Sequence, residues 1–355
     1  MATNLFKGKY ILVTGGTGSI GSIIVKKLLE LDPKQIKVLS RDETKQYNLA
    51  QELNYNPKVR FLIGDIRNKD RVYKAMENID IVFHAAAMKH ILACENDPFE
   101  AVETNVRGMQ NIIDCAMAHN VEKVIGISTD KATDPVSVMG CTKLLAEKMM
   151  LAHYSGIHPT KFCFVRFGNV LNSRVSVISL FYKQIMAGGP VTVTDKRVCR
   201  FFMSIDEAVD LIFKASGLMQ DREIFILKDM AMLKIYDLAK AMIELYAPKF
   251  GYDPRQIKIN LTGLKLGERL HEKLLTEDEA LFALENKEMF IIVPLINYGL
   301  NKKIKLEKYM ADMNAKKCKV ENYTTEGKKY LPIYQIKKLI AKDDKKMFET
   351  LNHYN

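Results

Sequence analysis

The segment Thr14-Gly15-Gly16-Thr17-Gly18-Ser19-Ile20-Gly21 constrains this chain more than any other. It follows the apolar run Tyr10–Val13 directly and opens at once into a helical pattern. Glycines at GxxGxxG spacing between a strand and a helix allow a tight turn and a close approach of backbone to a ligand, while the first amides of the helix stay free to meet an anion. A first βαβ unit of this kind is expected to hold the pyrophosphate of a dinucleotide among Gly15, Thr17, Gly18, Ser19, Ile20 and Gly21. Further runs at Ile36–Leu39, Val59–Ile63, Ile79–Phe83, Val124–Ile127 and Phe162–Val165 are short and apolar almost throughout, as strands covered on both faces are. Between them Ser19–Leu31, Glu43–Leu53, Asn68–Met76, Pro98–His119 and Val136–Ala152 repeat their apolar residues at helical spacing and are predicted crossover helices. The economical fold is α/β, a doubly wound parallel sheet.

Beyond Gly168 the alternation loosens. Gly188-Gly189-Pro190 is a turn signal, Val191–Thr194 reads as a strand and Ser204–Leu218 as a helix. Glu223–Leu227 can return to the sheet, Ile235–Leu245 is helical, and Ile257–Leu261 and Met289–Val293 read as strands of a smaller domain. The expected division is therefore residues 1–170 and about 200–248 for the dinucleotide-binding domain, about 171–199 and 249–300 for a smaller α/β substrate-binding lobe, and 301–355 for a basic extension.

At 355 residues the chain can bury a large core without a metal or disulfide to support it. It has no run of eighteen apolar residues, and its first strand begins too early for a secretory signal, so a cytoplasmic protein with no transmembrane segment is expected. Cys94, Cys115, Cys141, Cys163, Cys199 and Cys318 form no CxxC pair, and no metal site is signalled. After Asn301 there are 14 lysines against 7 acidic residues, which is +7 of the net +11. The rest of the chain is only mildly basic, which suits a pyrophosphate-bearing ligand and does not argue for nucleic acid.

The second strand ends Val38-Leu39-Ser40-Arg41-Asp42, where the adenosine ribose is expected. Ser40 followed by Arg41, with Lys45 one turn on, favours the 2′-phosphate of NADP; Asp42 keeps NAD open as the alternative. Asp65 and Ile66 after the third strand are placed to meet adenine, and Ala85 and Ala86 after the fourth leave room for the cofactor to pass. At the end of the fifth strand stands Ser128-Thr129-Asp130-Lys131, and Lys143 follows on a helix with Met139 four residues before it.

Those residues, with Ser40-Arg41-Asp42-Glu43, His84-Ala85-Ala86-Ala87-Met88-Lys89-His90, Arg166-Phe167-Gly168-Asn169-Val170, Arg200-Phe201-Phe202-Met203-Ser204 and Gly267-Glu268-Arg269-Leu270-His271-Glu272, carry a resemblance. From about Gly8 to Thr276 the chain resembles the extended short-chain dehydrogenases, specifically the nucleotide-sugar 4,6-dehydratases of polysaccharide biosynthesis that act on UDP-N-acetylglucosamine. The family's usual YxxxK has Met139 in place of tyrosine here, and a thioether cannot exchange a proton. This is the pattern of a Met-x-x-x-Lys subgroup of active dehydratases, whose N-terminal membrane portion this chain is read as lacking. The subgroup implies retention of configuration at carbon 5.

The resemblance implies a three-stage reaction with a recycled cofactor: oxidation at carbon 4, loss of water across carbons 5 and 6, and return of the hydride to carbon 6. It assigns Thr129 to orienting the 4-oxygen, Asp130 to protonating the departing 6-hydroxyl and Lys131 to the carbon 5 proton. With Met139 inert, either Lys131 or a water relayed through Thr129 takes the 4-hydroxyl proton. Lys143 is assigned to the nicotinamide ribose, and Asn105 to bracing the site. Lys89 and His90 face the sugar, and Asn169, Arg174, Arg200, Lys265 and Glu268 lie where the family binds the nucleotide and pyrophosphate. Lys265-Leu266-Gly267-Glu268 departs from the usual Arg-Pro-Gly-Glu and opens the identity of the nucleotide, UDP or GDP. The helices Pro98–His119 and Val136–Ala152 imply a homodimer or larger homo-oligomer. A nucleotide-sugar 4-epimerase, another hexose substrate and a non-catalytic nucleotide-binding protein are the competing readings. Asp130-Lys131 favours the N-acetylhexosamine enzymes over the glucose dehydratases, whose matching pair is Asp-Glu.

Overall fold

A computed structural model describes residues 5–152, 158–171, 173, 176–294 and 306–342. In chain order, β1 (Tyr10–Thr14), α1 (Ser19–Leu29), β2 (Gln35–Ser40), α2 (Glu43–Glu52), β3 (Val59–Ile63), α3 (Lys69–Ala75), β4 (Ile81–His84), α4 (Ile91–Asn96), α5 (Pro98–Val102), α6 (Gly108–Ala118), β5 (Lys123–Thr129), α7 (Val138–Ala152) and β6 (Lys161–Phe167) alternate as the apolar periodicity predicts. The chain continues through β7 (Asn169–Val170), α8 (Val177–Met186), β8 (Val191–Val193), β9 (Cys199–Met203), α9 (Ile205–Leu218), β10 (Glu223–Leu227), β11 (Ala231–Lys234), α10 (Ile235–Tyr246) and β12 (Ile259–Leu261). It then forms β13 (Lys273–Leu275), α11 (Glu277–Ala280), β14 (Ala283–Glu285), β15 (Met289–Ile292), α12 (Leu306–Asp312), β16 (Lys316–Lys317) and α13 (Ile333–Lys342).

Two compact units result. The larger comprises Met1–Phe167, Val209–Lys228 and Leu274–Asn322. Its ten-stranded sheet has the order β16-β14-β15-β10-β6-β5-β4-β1-β2-β3. Every neighbouring pair from β3 to β10 is parallel, and β15, β14 and β16 extend the sheet antiparallel. Residues such as Ile11, Val13, Val38, Phe83, Ile125 and Val165 are wholly buried, which explains why these strands read as continuous apolar runs. Each such side chain contributes about 1.5–3 kcal/mol of burial. The strand order reverses between β1 and β4, and in sheets of this kind ligands bind beyond the carboxyl ends of the strands at that reversal. The exposed Lys316 and Lys317 occupy the outer strand β16, where charge discourages pairing with another sheet edge.

The smaller unit comprises Gly168–Ala208, Asp229–Lys273 and Tyr323–Asn355. Leu171, Phe181, Ile185, Leu238, Met242, Tyr246, Ile336 and others form its core. In it β9 pairs parallel with β7 and antiparallel with β11, while β8 and β12 pair in parallel.

The expected boundaries need four corrections. Helix α10 belongs to the smaller unit, because Leu238, Ala239, Met242, Ile243 and Tyr246 pack into that core. The strand near Met289–Val293 joins the main sheet, where β15 pairs with β10. Residues 301–355 are not one extension: the Tyr309 hydroxyl donates to buried Glu223 at 2.9 Å in the larger unit, whereas Ile336 and Ile340 complete the core of the smaller. Finally, Pro98–His119 is not one regular helix. A π-helical turn, Glu103–Arg107, separates α5 from α6 and carries Asn105 on it, an irregularity often found at functional sites.

Candidate active site

The loop between β1 and α1 is shaped by contacts that only glycine permits. Gly15 has φ +65°, and a Cβ there would lie 2.7 Å from the Ala86 nitrogen and 2.8 Å from the Ala85 carbonyl carbon. A Cβ on Gly21 would lie 2.3 Å from the Gly15 oxygen. The backbone of the loop thus rests directly on the segment leaving β4. Helix α1 starts from Gly18 with no side-chain cap and no acidic residue in its first turn, so nothing local neutralises the positive end of its dipole. Thr17 is buried, while Ser19 and Ile20 are half-buried on the first turn. A dinucleotide pyrophosphate fits this cradle.

At the tip of β2 the Ser40 hydroxyl accepts from Gln46 Nε2 at 3.1 Å. Asp42 caps α2 by accepting from the Lys45 nitrogen at 3.0 Å, and Lys45 Nζ returns to the same carboxylate at 2.7 Å. Arg41 is exposed, its guanidinium 3.5 Å from Asp65. Asp65 in turn accepts from the Arg67 backbone and guanidinium, and although burial pushes its carboxyl upward, these bonds hold it below the usual carboxylate range. Ile66 is buried, its side chain facing the place where a Cβ on Gly108 would stand.

The end of β5 turns into a single 3₁₀ turn, Asp130–Ala132, capped by Thr129. Thr129 Oγ1 donates to Asp130 Oδ1 at 2.8 Å, and Lys131 Nζ donates to the same oxygen at 2.9 Å. Asp130 is completely buried, whereas the Lys131 side chain keeps 21% exposure and Thr129 is half-buried. Helix α7 lies against this turn at Gly140, where a Cβ would sit 2.3 Å from the Lys131 carbonyl oxygen. Nothing in the sequence pattern of a helical glycine announced that contact.

Lys143 is buried and donates to the Ile127 carbonyl at 2.5 Å; burial pushes its amine down to about 8, outweighing the nearby Glu147 charge. His84, quoted in the sequence only as part of a motif, forms a buried pair with Thr14, Nδ1 to Oγ1 at 2.8 Å. Burial, with the charge of Lys143 adding to it, pushes this imidazole down to about 3, so it stays neutral. Met139 is buried among Cys94, Ala101, Met88, Ile91 and Val138. Its thioether therefore fills an apolar niche beneath α4 and α5. Asn105 spends its amide on the protein: Oδ1 accepts from Met88 N at 2.8 Å, and Nδ2 donates to Met88 O and to Thr142 Oγ1, each at 3.0 Å. It fixes the start of the segment that carries the exposed Lys89 and His90.

Within the smaller unit, Arg200 is 6% exposed. Its guanidinium donates to the carbonyls of Cys199 at 2.7 Å, Arg269 at 2.9 Å and Leu270 at 3.3 Å, with Glu268 and Glu272 each 3.5 Å away. Glu268 accepts from Thr194 Oγ1 at 2.9 Å and from the Lys265 nitrogen at 3.2 Å, closing a turn on which the Lys265 side chain is exposed. Asn169 stands on β7 opposite Phe202 of β9. Arg174 lies outside the described residues.

Among the described residues no helix is long and apolar enough to cross a membrane. The chain is 52% identical to an uncharacterized membrane protein of Methanocaldococcus jannaschii over 84% of its length and 89% of the relative's. It is 40% identical to the UDP-N-acetylglucosamine 4,6-dehydratase (inverting) of Campylobacter jejuni over 83% and 85% of the two chains. With the UDP-glucose 4-epimerase of Rickettsia bellii it shares 37% identity over 96% and 97%. Among solved structures, Pen from Bacillus thuringiensis superposes with a TM-score of 0.86 at 42% identity, covering 95% of this chain and 98% of that one. The dTDP-glucose 4,6-dehydratase DesIV from Streptomyces venezuelae, solved with NAD and TYD bound, shares the fold at a TM-score of 0.66 and 22% identity over 74% and 86% of the chains. The family described as polysaccharide biosynthesis protein matches residues 11–294. Taken with the glycine cradle at the strand reversal, these likenesses mean that the chain belongs to the polysaccharide biosynthesis protein family, a family of nucleotide-sugar dehydratases and epimerases with the extended short-chain dehydrogenase fold.

Proposed function

We propose that this protein is a nucleotide-sugar 4,6-dehydratase that converts UDP-N-acetylglucosamine to the UDP-4-keto-6-deoxy sugar. One observation carries the reading: Asp130 and Lys131 share a hydrogen bond at the end of β5, beside Thr129. Removing a carbon 5 proton and expelling a hydroxyl requires an acid and base pair at the sugar, which a 4-epimerase, needing only oxidation and re-reduction at carbon 4, does not. When bound, a nicotinamide dinucleotide supplies a hydride acceptor that later gives the hydride back. Gly15, Gly18 and Gly21 would hold its pyrophosphate, and Lys143 its nicotinamide ribose. Asn105 supports the site indirectly, through Met88 and Thr142.

Lys131, half-exposed, takes and returns the carbon 5 proton, and Thr129 orients the 4-oxygen. Arg200 and Lys265 meet the pyrophosphate, with Asn169, Arg174 and Glu268 around the nucleotide and Lys89 and His90 toward the sugar. NADP is the preferred cofactor, because Arg41 stands free of the α2 cap at the β2 tip while Asp42 is committed to Lys45. The exposed Phe99, Val102 and Leu145, on α5 and α7, support a homodimer. Met139 at the tyrosine position supports retention at carbon 5, in contrast to the inverting relative.

One experiment tests the reading. Purified protein, supplied with NADP and with NAD in turn, is incubated with UDP-N-acetylglucosamine, and the product is examined by mass spectrometry and proton NMR. The expected product is lighter by one water, forms faster with NADP and keeps the carbon 5 configuration. An isobaric product epimeric at carbon 4 points instead to the epimerase, the activity named for the Rickettsia relative, and an unchanged sugar overturns the dehydratase assignment.

A further inference from the structure

We propose that the C-terminal strap of residues 323–330 is part of the nucleotide site, with Thr325 and Tyr323 as positioning residues that hold Arg200 ready for the pyrophosphate of a nucleoside diphosphate. This rests on the reading above, in which Arg200 meets that pyrophosphate. The strap lies beyond residues 11–294, which carry the family pattern, and within the smaller unit that contains Arg200. In the sequence it reads only as part of a basic extension. Its contacts give it a closer task.

Arg200 takes its position largely from the stretch 268–272. The carbonyls of Arg269 and Leu270 accept from its guanidinium, and the carboxylates of Glu268 and Glu272 stand 3.5 Å from it. Residues 262–272 belong to no helix or strand, so bonds from other segments must fix those acceptors. The strap supplies them. Glu272 N donates to Thr325 Oγ1 at 3.0 Å, Thr325 N donates to Glu272 O at 2.9 Å, and Thr324 Oγ1 donates to the same carbonyl at 3.2 Å. Thr325 is wholly buried and Glu272 is 3% exposed, so solvent cannot stand in for the threonine hydroxyl. On the strand of Arg200 itself, the Tyr323 ring packs against Phe201 with centroids 4.8 Å apart, and its hydroxyl accepts from Met230 N at 3.0 Å. Tyr330 closes the strap by donating its hydroxyl to Thr325 O at 2.9 Å. Further along, Ile336 and Ile340 complete the apolar core. The Thr325 hydroxyl adds nothing to that core; it bonds only the backbone of the stretch around Arg200. An arginine fixed before its ligand arrives binds more tightly, because no ordering cost falls on the binding step.

Calorimetry of the full chain with UDP tests the proposal without depending on the reaction. Thr325→Val keeps the branched shape and removes the acceptor of Glu272 N; UDP should bind about five- to tenfold more weakly while NADP binds as before. Turnover of UDP-N-acetylglucosamine should show the same rise in KM with kcat unchanged, the mark of lost binding rather than lost chemistry. Thr325→Ser keeps a hydroxyl and should restore the affinity. In an Arg200→Met background Thr325→Val should have no further effect on UDP, because the strap acts through that arginine. An equal loss in both backgrounds overturns the proposal, as does unchanged UDP affinity in Thr325→Val. Where Thr325→Val does not fold, Tyr323→Phe, which removes only the acceptor of Met230 N, decides by the same comparison with Arg200→Met. Unchanged UDP affinity in Arg200→Met alone refutes the pyrophosphate reading of Arg200 and the strap's role with it. A weakened Arg200→Met beside a normal Thr325→Val refutes the strap alone.

Discussion

Each unit buries one arginine beside two glutamates, and the two sets are built differently. In the larger unit Arg166 of β6 is 1% exposed and makes paired hydrogen bonds to Glu147 of α7, at 2.7 and 3.2 Å, and to Glu279 of α11, at 2.9 and 3.1 Å. A further bond to the Leu274 carbonyl at 2.9 Å completes the fork. In the smaller unit Arg200 is held by carbonyls, and its two carboxylates stand back at 3.5 Å. Charge-assisted paired bonds are the strong ones, and a carboxylate at 3.5 Å is a weak partner. The contrast separates an arginine held by paired carboxylate bonds from one held by backbone carbonyls, the one proposed above to meet the pyrophosphate. Charge and residue type alone do not separate them, because both stand in motifs of the same family pattern.

The largest effect should come from breaking the saturated set. Arg166→Met leaves the buried Glu147 and the partly buried Glu279 without their cation, and urea unfolding should report a loss of about 3–5 kcal/mol. Arg200→Met should lose only about 1–2 kcal/mol and instead weaken UDP binding at least about tenfold in calorimetry, roughly 1.4 kcal/mol. Equal stability losses with unchanged UDP affinity would erase the distinction.

The close packing that saturates Arg166 recurs at the neighbouring turn, and glycine substitutions measure it. Gly140→Ala drives a Cβ toward the Lys131 carbonyl and should cost about 1–3 kcal/mol. Gly217→Ala, on α9 with nothing within 4 Å of its Cβ, should gain up to about 1 kcal/mol. Parallel thermal melts decide whether backbone contact, rather than helix propensity, sets the difference.

A pH dependence concerns a cation without paired carboxylates. Lys143 bonds a carbonyl and has its amine pushed down to about 8 from 10.5. Between those values the unfolded chain binds more protons than the folded one, so stability should rise with pH across that window. Lys143→Met should flatten the rise in a series of urea titrations, while a slope that survives the substitution would assign it to other groups.

Much of the larger unit was legible in the sequence. The strands β1, β2, β4, β5 and β6 show as apolar runs because both faces of a parallel sheet are covered there, whereas β3, at the edge, is only partly covered, and Gly15 and Gly21 show because a Cβ there would lie 2.3–2.8 Å from neighbouring backbone atoms. The π-helical turn at Asn105, the placement of β15 and the splitting of the C-terminal segment were not legible. Each depends on which partner an apolar face meets, and periodicity records that a face is apolar without naming its partner. The same holds at the candidate site. The residue types Thr129, Asp130, Lys131, Met139 and Lys143 could be read directly, but the burial of Asp130 behind its two neighbours could not.

The sequence by itself determined the α/β fold, the dinucleotide cradle and the residue types gathered at the end of β5, because local spacing and glycine sterics act over a few residues. Only the tertiary structure decided which charges are spent. Arg166 and Asp42 are bonded to charged side chains of the protein, Arg200 to backbone carbonyls, and Asp130 faces two side chains rather than solvent. These differences arise from burial and from partners distant in sequence, which set what a charge costs and whether a ligand can reach it.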